Sequence, residues 1–191
     1  INVHDIEFSD LEMVCKETLP ALTELKTKGL VKHVGITNLT LRHFKYVINN
    51  VPKGTVESIL SFCHYCLNDD ALIDYLDFFE QNDVGIINAS PFSMGLLTER
   101  GAPEWHPAPK PLQDLCRKAV QHCMDKGKNI EQLAVSFSVS NPRIATTLFS
   151  TTRSSSVLQN IKWANEPTDE ELLAEVRKIL EPRFRDTWLN S

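Results

Sequence analysis

The sequence predicts an α/β fold in which repeated strand–helix units surround a parallel sheet. Short apolar runs such as VGIT and VGII recur roughly every 25–30 residues in the first part of the chain. Amphipathic segments with the helical period separate these runs, and strands joined by helical crossovers pair in parallel. No GxGxxG segment follows any run, which weighs against a dinucleotide-binding fold of the doubly wound type. The alternatives are an open doubly wound sheet and a (β/α)8 barrel.

Each strand is predicted from an apolar run that ends at polar or turn residues. The predicted strands cover residues 1–5, 31–37, 56–61, 84–89 and 146–149. The predicted helices cover residues 9–28, 40–50, 68–79, 112–126, 130–140, 154–165 and 168–180. The first helix begins at a capping box of Ser9 and Glu12, and Pro20 should kink or split it. Thr168 and Glu171 form a second capping box. The proline-rich loop 90–111 should be irregular.

Composition and charge exclude several classes of protein. The chain has 191 residues, of which 42% are hydrophobic and 24% charged, with a net charge of −5. This globular balance fits one domain over residues 1–191 and excludes a disordered chain. No run of Lys and Arg exceeds two residues, so we expect neither nucleic-acid nor membrane-surface binding. No apolar stretch reaches the roughly 20 residues that would cross a bilayer.

The cysteines predict neither a disulfide framework nor a metal site. There are five, an odd number, and reduced thiols of a cytoplasmic protein are the default expectation. The pair Cys63 and Cys66 has CxxC spacing, but no second pair has the spacing of a common zinc module. The chain also opens on a strand without an initiator Met, so we expect an N-terminal truncation.

Candidate functional residues are expected at the carboxyl ends of the strands, where α/β folds place their sites. Alternation puts His4 on an inward face at the first strand end, where imidazole can donate a hydrogen bond or shuttle a proton. The alternative is a buried core histidine. Thr37 and Asn38 suit a ligand carboxamide because each offers a donor and an acceptor. The alternative is that Asn38 or Thr40 caps the following helix.

The other candidates follow later strands. The run Ser150–Ser156 joins a strand to a helix N-terminus and contains Arg153, which favours an anion site over a merely capped polar loop. His64 also ends a strand, but its apolar-leaning neighbours favour core packing. Trp105 lies in loop 90–111, where an aromatic side chain covers a substrate or forms a small satellite core.

Together these segments resemble the aldo-keto reductase family. NVHDIEF is similar to the family's fourth strand, which ends in the catalytic histidine, and GITN to the G-[IVL]-[ST]-N segment after strand five. ASPFSMGLLT is similar to the Y-S-P-L-x-x-G-L-L-T run after strand seven, and FSTTRSSSVLQN to the phosphate segment after strand eight. ILSFCHYCLNDDALIDYL, GAPEWHPAP and EPRFRDTW are similar to the L-galactose dehydrogenase branch of the family.

The resemblance implies the last five units of an N-terminally truncated (β/α)8 TIM barrel, with loop 90–111 and tail 181–191 over the active face. It implies an oxidoreductase that moves a hydride between a nicotinamide cofactor, NAD in preference to NADP, and an L-galactose-like aldose that becomes a lactone. A generic NADPH-dependent carbonyl reductase and a catalytically inactive binding or regulatory protein are the alternatives.

The resemblance also implies residue roles. His4 is the catalytic histidine, and Trp105 and Trp188 are expected to face the substrate. The positions that match cofactor-binding residues are Thr37, Asn38, Ser61, Ser90, Phe92, Met94, Ser150, Thr152, Arg153, Ser156, Gln159 and Asn160. Ala89 stands where the family stacks a tyrosine on the nicotinamide, and the strand-six glutamine has no counterpart. The family's catalytic Asp, Tyr and Lys belong to strands outside this chain, so we expect no turnover from residues 1–191 alone.

Overall fold

The computed structural model describes residues 1–188 and contains one parallel sheet of five strands. The strands are β1 (Asn2–Val3), β2 (Gly35–Asn38), β3 (Ser58–Phe62), β4 (Gly85–Ala89) and β5 (Thr146–Leu148). Each strand pairs in parallel with the next along the chain. A doubly wound sheet reverses its strand order at a switch point, whereas a barrel wall keeps the chain order. The observed order is therefore that of a barrel wall.

The helices lie close to their predicted positions. They are α1 (Leu11–Met13), α2 (Leu19–Thr27), α3 (Leu41–Asn49), α4 (Leu76–Gln81), α5 (Lys110–Asp125), α6 (Ile130–Ser138), α7 (Ser154–Ala164) and α8 (Glu170–Leu180). The helix predicted over 68–79 is a 3-10 segment, Ala71–Tyr75, followed by α4. None of the helices in the described part of the chain is long and apolar enough to cross a membrane.

The start of the first helix differs from the prediction, and its irregular turn lies before Pro20 rather than at it. Asp10, rather than Ser9, is the N-cap residue, and its carboxylate accepts a hydrogen bond from Glu12 N at 2.8 Å. A π-helical turn, Val14–Thr18, separates α1 from α2. Pro20 follows directly in α2, so the hydrogen-bonding pattern of the helix changes just before the residue that offers no N–H.

The cap of α8 is displaced in the same way. Asp169, rather than Thr168, is its N-cap residue and accepts from Leu172 N at 3.1 Å. A carboxylate carries a full negative charge, so it interacts more favourably with the positive end of the helix dipole than a hydroxyl does.

The main core lies between the sheet and the helices. Ile36, Ile59 and Ile86 are in register on adjacent strands and are fully or almost fully buried. Phe44 of α3 and Phe79 of α4 meet edge to face in this core, with ring centroids 6.1 Å apart. Burying each ring stabilises the fold by about 1.5–3 kcal/mol. Sequence periodicity could predict this layer because every member follows the strand or helix period.

The opposite face of the sheet is less covered. Alternation turns Leu60 and Ile87 away from the helices, and both side chains are half-buried. β1 and β5 are each paired on one side only within residues 1–188, as expected for open edges. At the other end of the strands, a side chain on Gly35 would collide with the side-chain oxygens of Asn2 and Ser58.

Loop 90–111 is irregular as far as Pro109 apart from the 3-10 turn Ser93–Gly95, whereas Lys110 and Pro111 already belong to α5. His106 anchors the loop. His106 Nε2 donates to Ser93 O at 3.0 Å, and its Nδ1 accepts from Ala108 N at 3.0 Å. Burial lowers the pKa of His106, which keeps the ring neutral in this arrangement. Trp188 meets the same ring edge to face at 4.9 Å. The tail therefore packs against loop 90–111, although residues 189–191 of the predicted tail lie outside the described residues.

Candidate functional site

A cleft of about 630 Å³ opens between the segment that follows β4 and the segment that follows β5. We call it the β4–β5 cleft. Eight of the predicted site residues line it: Ser90, Phe92, Met94, Trp105, Ser150, Thr152, Arg153 and Ser156. Two sequence segments that were singled out independently therefore meet around one opening, at the carboxyl end of the sheet.

The wall after β4 is held in an unusual backbone conformation. Ser90, Ser93 and Met94 have φ angles of 62°, 48° and 55°, in the left-handed region that non-glycine residues seldom adopt. Ser90 N donates to Leu148 O at 3.1 Å and so joins this wall to the end of β5. Strained backbone of this kind persists where the surrounding structure enforces it, and it is frequent at ligand sites.

The wall after β5 presents a helix N-terminus. Arg153 is the N-cap residue of α7, and no side chain caps the helix there. The first-turn N–H groups and the positive end of the helix dipole therefore face an open region beside the Arg153 guanidinium. Such an N-terminus binds anions, and this one lines the cleft through Arg153 and Ser156.

The sequence motifs do not identify two charged residues of the cleft. Arg100 and Glu131 also line it, the first from loop 90–111 and the second from α6. Arg153 is therefore not the only base at this site. Neither residue belongs to a motif, so only the folded path of the loop and helix reveals them. With hydroxyl groups, two guanidinium groups and main-chain N–H groups, the cleft suits an anionic ligand that carries hydroxyls.

Gln159 and Asn160 lie further along α7 and are not among the cleft-lining residues. Asn160 is buried and Gln159 is half-buried. Trp105 is largely exposed at the cleft, whereas Trp188 packs against the core and not in the cleft.

Thr37 and Asn38 are buried at the carboxyl end of β2, and their polar groups hold the segment that follows β1. Thr37 Oγ1 accepts from Asp5 N at 2.9 Å. Asn38 Oδ1 accepts from Glu7 N at 3.0 Å, while its Nδ2 donates to Thr40 O at 2.6 Å. Neither residue caps α3, whose N-cap position is Thr40. Contact of these groups with a cofactor carboxamide stays a prediction.

His4 lies immediately after β1, which ends one residue earlier at Val3. The side chain is 77% exposed, with Nδ1 3.0 Å from Asp5 Oδ1. Asp5 adopts φ 51°, so the chain turns out of the ladder directly after His4. The alternative of a buried core histidine is wrong for this structure, whereas the inward placement stays a prediction, because the inner face of a five-stranded sheet is open to solvent. The catalytic function of His4 stays a prediction.

A buried polar row crosses the carboxyl end of the sheet. Asn38, Ser61, Asn88 and Thr147 are in register on β2 to β5. Ser61 Oγ and Asn88 Oδ1 are buried without a hydrogen-bond partner. Each such atom costs about 1–3 kcal/mol, which is unusual outside functional regions. Alternation places this row on the helix-facing side of the sheet, so Ser61 does not point towards the barrel axis.

His64 differs from the prediction of simple core packing. It is buried, but its Nδ1 lies 2.9 Å from Asp69 Oδ2, and both side chains are less than a tenth exposed. The pair lines a second opening of about 350 Å³, which we call the His64 cavity. Asp69 is five residues away across a tight turn, so spacing alone carried no signal for the contact.

Burial disfavours the thiolate form of all five cysteines. All five are free and buried. Burial raises the pKa of Cys63 and of Cys116 to about 12, so the thiolate is scarce at neutral pH. Among residues 1–188, no three His, Cys, Asp or Glu side chains converge in a way that could hold a metal ion.

Comparison with known proteins agrees with this architecture. The Aldo/keto reductase family model matches residues 1–181. L-galactose dehydrogenase from Arabidopsis thaliana is 45% identical over 192 residues, which cover 98% of this chain and 60% of that protein. D-arabinose 1-dehydrogenase from Saccharomyces cerevisiae is 24% identical over 147 residues, 73% of this chain and 44% of that one. The chain thus spans 60% or less of the length of these relatives.

Solved structures show the same fold. The holo form of an aldo-keto reductase from Bacillus halodurans superimposes with a TM-score of 0.70 at 18% identity, over 93% of this chain and 57% of that one. An aldo-keto reductase from Klebsiella pneumoniae in complex with NADPH gives 0.67 at 17% identity, over 100% and 61%. The five units are part of the (β/α)8 barrel, as expected, and the chain belongs to the aldo-keto reductase family.

Proposed function

We propose that the protein is an oxidoreductase that transfers a hydride between a nicotinamide cofactor and the anomeric carbon of an aldose. The β4–β5 cleft is the observation that carries this proposal, because it joins the Ser90–Met94 and Ser150–Ser156 segments in one anion-binding opening. The 45% identity to an L-galactose dehydrogenase supports an L-galactose-like sugar, oxidised to its lactone.

The cleft residues fit the phosphate and ribose portion of a dinucleotide. The uncapped N-terminus of α7 and Arg153 would hold the pyrophosphate, with Arg100 as a second cation. Ser90 would hydrogen-bond a ribose hydroxyl, and Phe92 would supply apolar contact. When bound, the nicotinamide supplies the hydride acceptor.

His4 would orient the reacting oxygen of the sugar. It follows β1 at the carboxyl end of the sheet, and a largely exposed imidazole there is free to donate a hydrogen bond. A general acid or base would complete the reaction, and in the aldo-keto reductases this group is a tyrosine of a strand that residues 1–191 do not include.

We favour NAD over NADP as the cofactor. A 2′-phosphate calls for a bidentate arginine, and Ser156 stands where NADP-dependent relatives often place one. The cleft nevertheless holds Arg100 and Arg153, and this observation favours the second candidate, an NADPH-dependent carbonyl reductase. Five free, buried cysteines support the proposal of a reducing, cytoplasmic location.

The test is a cofactor and substrate survey of the full-length protein. NAD and NADP are titrated by nucleotide-dependent fluorescence quenching, and nucleotide reduction is followed with a panel of aldoses that includes L-galactose. We expect tighter binding of NAD and turnover with aldoses. Tenfold tighter binding of NADP, about 1.4 kcal/mol, together with reduction of simple aldehydes but no aldose oxidation, would establish the second candidate instead.

A further inference from the structure

The His64 cavity is a built site that the cofactor cleft does not include. Its walls come from the turn after β2, the loop after β3 and the C-terminal tail, through Thr40, Arg42, His64, Asp74 and Arg185. Its volume of about 350 Å³ lies at the small end of the range for ligand pockets. The cavity therefore suits a compact molecule rather than a dinucleotide.

A rigid pair of side chains forms one wall. Asp69 Oδ2 accepts from His64 Nδ1 at 2.9 Å, and Asp69 Oδ1 accepts from Ala71 N at 2.9 Å. Cys66 and Asp69 exchange two main-chain hydrogen bonds that close the turn between them. Because a carboxylate only accepts, Nδ1 carries the proton, and the imidazole tautomer that this contact selects presents Nε2 as an acceptor.

The C-terminal tail forms the opposite wall and is fixed by ion pairs. Arg185 Nε donates to Asp70 Oδ1 at 2.8 Å, and its Nη1 donates to Asp74 Oδ2 at 2.7 Å. Arg177 Nη2 donates to Asp70 Oδ2 at 2.8 Å. Arg185 N also donates to Asn68 O at 3.0 Å. The tail is thereby attached to the same loop that carries the His64–Asp69 pair.

The chemistry of the lining favours an uncharged polyol. Arg177 and Arg185 pair with Asp70 and Asp74, so these four charges are balanced within the protein, and the Asp69 carboxylate accepts hydrogen bonds from His64 and Ala71 N. The wall still mixes acceptors, such as His64 Nε2 and the Asp74 carboxylate, with the donors of Arg42 and Arg185. A hydroxyl both donates and accepts, so a sugar can use both kinds of partner.

We propose that the His64 cavity binds the sugar, with His64 as a specificity-determining residue that accepts a hydrogen bond from a sugar hydroxyl. Asp69 is a positioning residue that holds the imidazole. The proposal rests on the proposed aldose dehydrogenase function and names its sugar site. The end of β2 holds the segment after His4 through Thr37 and Asn38, and the next two residues, Leu39 and Thr40, belong to the cavity wall.

The first experiment separates sugar recognition from cofactor binding. In the full-length protein, His64→Gln should raise the aldose KM about tenfold, the loss of one good hydrogen bond, with kcat and nucleotide Kd unchanged within twofold. Asp69→Asn should raise KM about threefold, because the amide still accepts from Nδ1. His33→Gln is the control, since His33 pairs with Glu57 at the other end of β2. Equal KM values in all variants would overturn the proposal.

A second experiment measures binding rather than turnover, and it uses a substitution at an exposed residue instead of the buried His64. Calorimetry without nucleotide measures binding of L-galactose, its lactone and inorganic phosphate to the wild type and to Arg42→Gln, an exposed lining position. We expect the sugar to bind and Arg42→Gln to weaken it about threefold, even if no aldose is oxidised. The proposal would be overturned if no sugar bound, or if phosphate bound more tightly than sugar and lost affinity in Arg42→Gln. Neither outcome would decide the proposed reaction, which the turnover assay tests separately.

Discussion

The two openings at the carboxyl end of the sheet are built in different ways. The β4–β5 cleft is formed mainly by two continuous segments, around residues 90–105 and 149–156, and much of its wall is loop and main chain. The His64 cavity joins parts of the chain that are far apart in sequence, as in the Arg185–Asp70 pair, whose residues are separated by 115 positions.

The difference suits the two openings to different ligands, the cofactor and the sugar. An open cleft with a helix N-terminus and guanidinium groups suits a long anionic cofactor that must enter and leave. A small cavity with internally balanced charges and a fixed histidine suits discrimination among sugars, because buried polar groups penalise a ligand that leaves them unpaired.

The largest expected effect belongs to neither opening. His4→Ala in the full-length protein should lower kcat about 100-fold, since a positioned hydrogen-bonding or proton-transfer group contributes about that factor or more. Nucleotide Kd should stay nearly unchanged, because His4 does not line the β4–β5 cleft. Steady-state kinetics and nucleotide titration provide the check, and turnover at the wild-type rate would remove His4 from the reaction.

Removing one of the two cations of the cleft should affect only the nucleotide. Arg153→Ala should weaken nucleotide binding about tenfold through loss of a charge-assisted hydrogen bond to phosphate. Aldose KM should not change at saturating nucleotide. Arg117→Ala, at a largely exposed position of α5, is the matched charge control. Equal effects of the two substitutions would show that the cleft responds to net charge alone.

Releasing the tail should affect only the second opening. Arg185→Ala removes the ion pairs with Asp70 and Asp74, which are partly screened by water. We expect a loss of about 1 kcal/mol in the free energy of unfolding and an aldose KM about threefold higher. Urea denaturation and kinetics measure these quantities. A simultaneous loss of nucleotide affinity would contradict the separation of the two openings.

The smallest effect is expected at the opposite end of the strands. Hydrogen bonds from Lys26 and then His33 lower the pKa of Glu57 to about 2. A depressed carboxyl pKa stabilises the folded protein above the unfolded value near 4.5, and this contribution is lost as the pH falls from there towards 2. Glu57→Gln should therefore cost about 1 kcal/mol at pH 7 and progressively less below pH 4.5. Urea denaturation against pH tests this, with both ligand affinities unaffected.

The sequence was sufficient for the features that depend on local periods and continuous motifs. The isoleucine row of β2 to β4 and the helix faces follow regular spacing, and Ser90–Met94 and Ser150–Ser156 are contiguous, so the β4–β5 cleft could be predicted. The helix starts at Asp10 and Asp169 could not, because neighbouring serine, threonine and aspartate residues compete for one cap and only the folded geometry decides.

The remaining features depend on contacts that spacing does not encode. The apolar neighbours of His64 predict core packing, whereas its pairing with Asp69 depends on the turn between the two residues. Arg100 reaches the cleft by the path of an irregular loop. Strand alternation predicts an inward position for His4, and only the folded chain excludes the buried alternative, since the side chain is 77% exposed.

The most direct test of the account is a cross-titration of both ligands against both openings. Nucleotide and L-galactose are each titrated by calorimetry into the full-length wild type, Arg153→Ala and His64→Gln. The account predicts that Arg153→Ala weakens only the nucleotide and His64→Gln only the sugar, each about tenfold. Similar losses for both ligands in either variant, with thermal melting unchanged, would contradict the claim that the chain keeps cofactor and sugar recognition in separate openings.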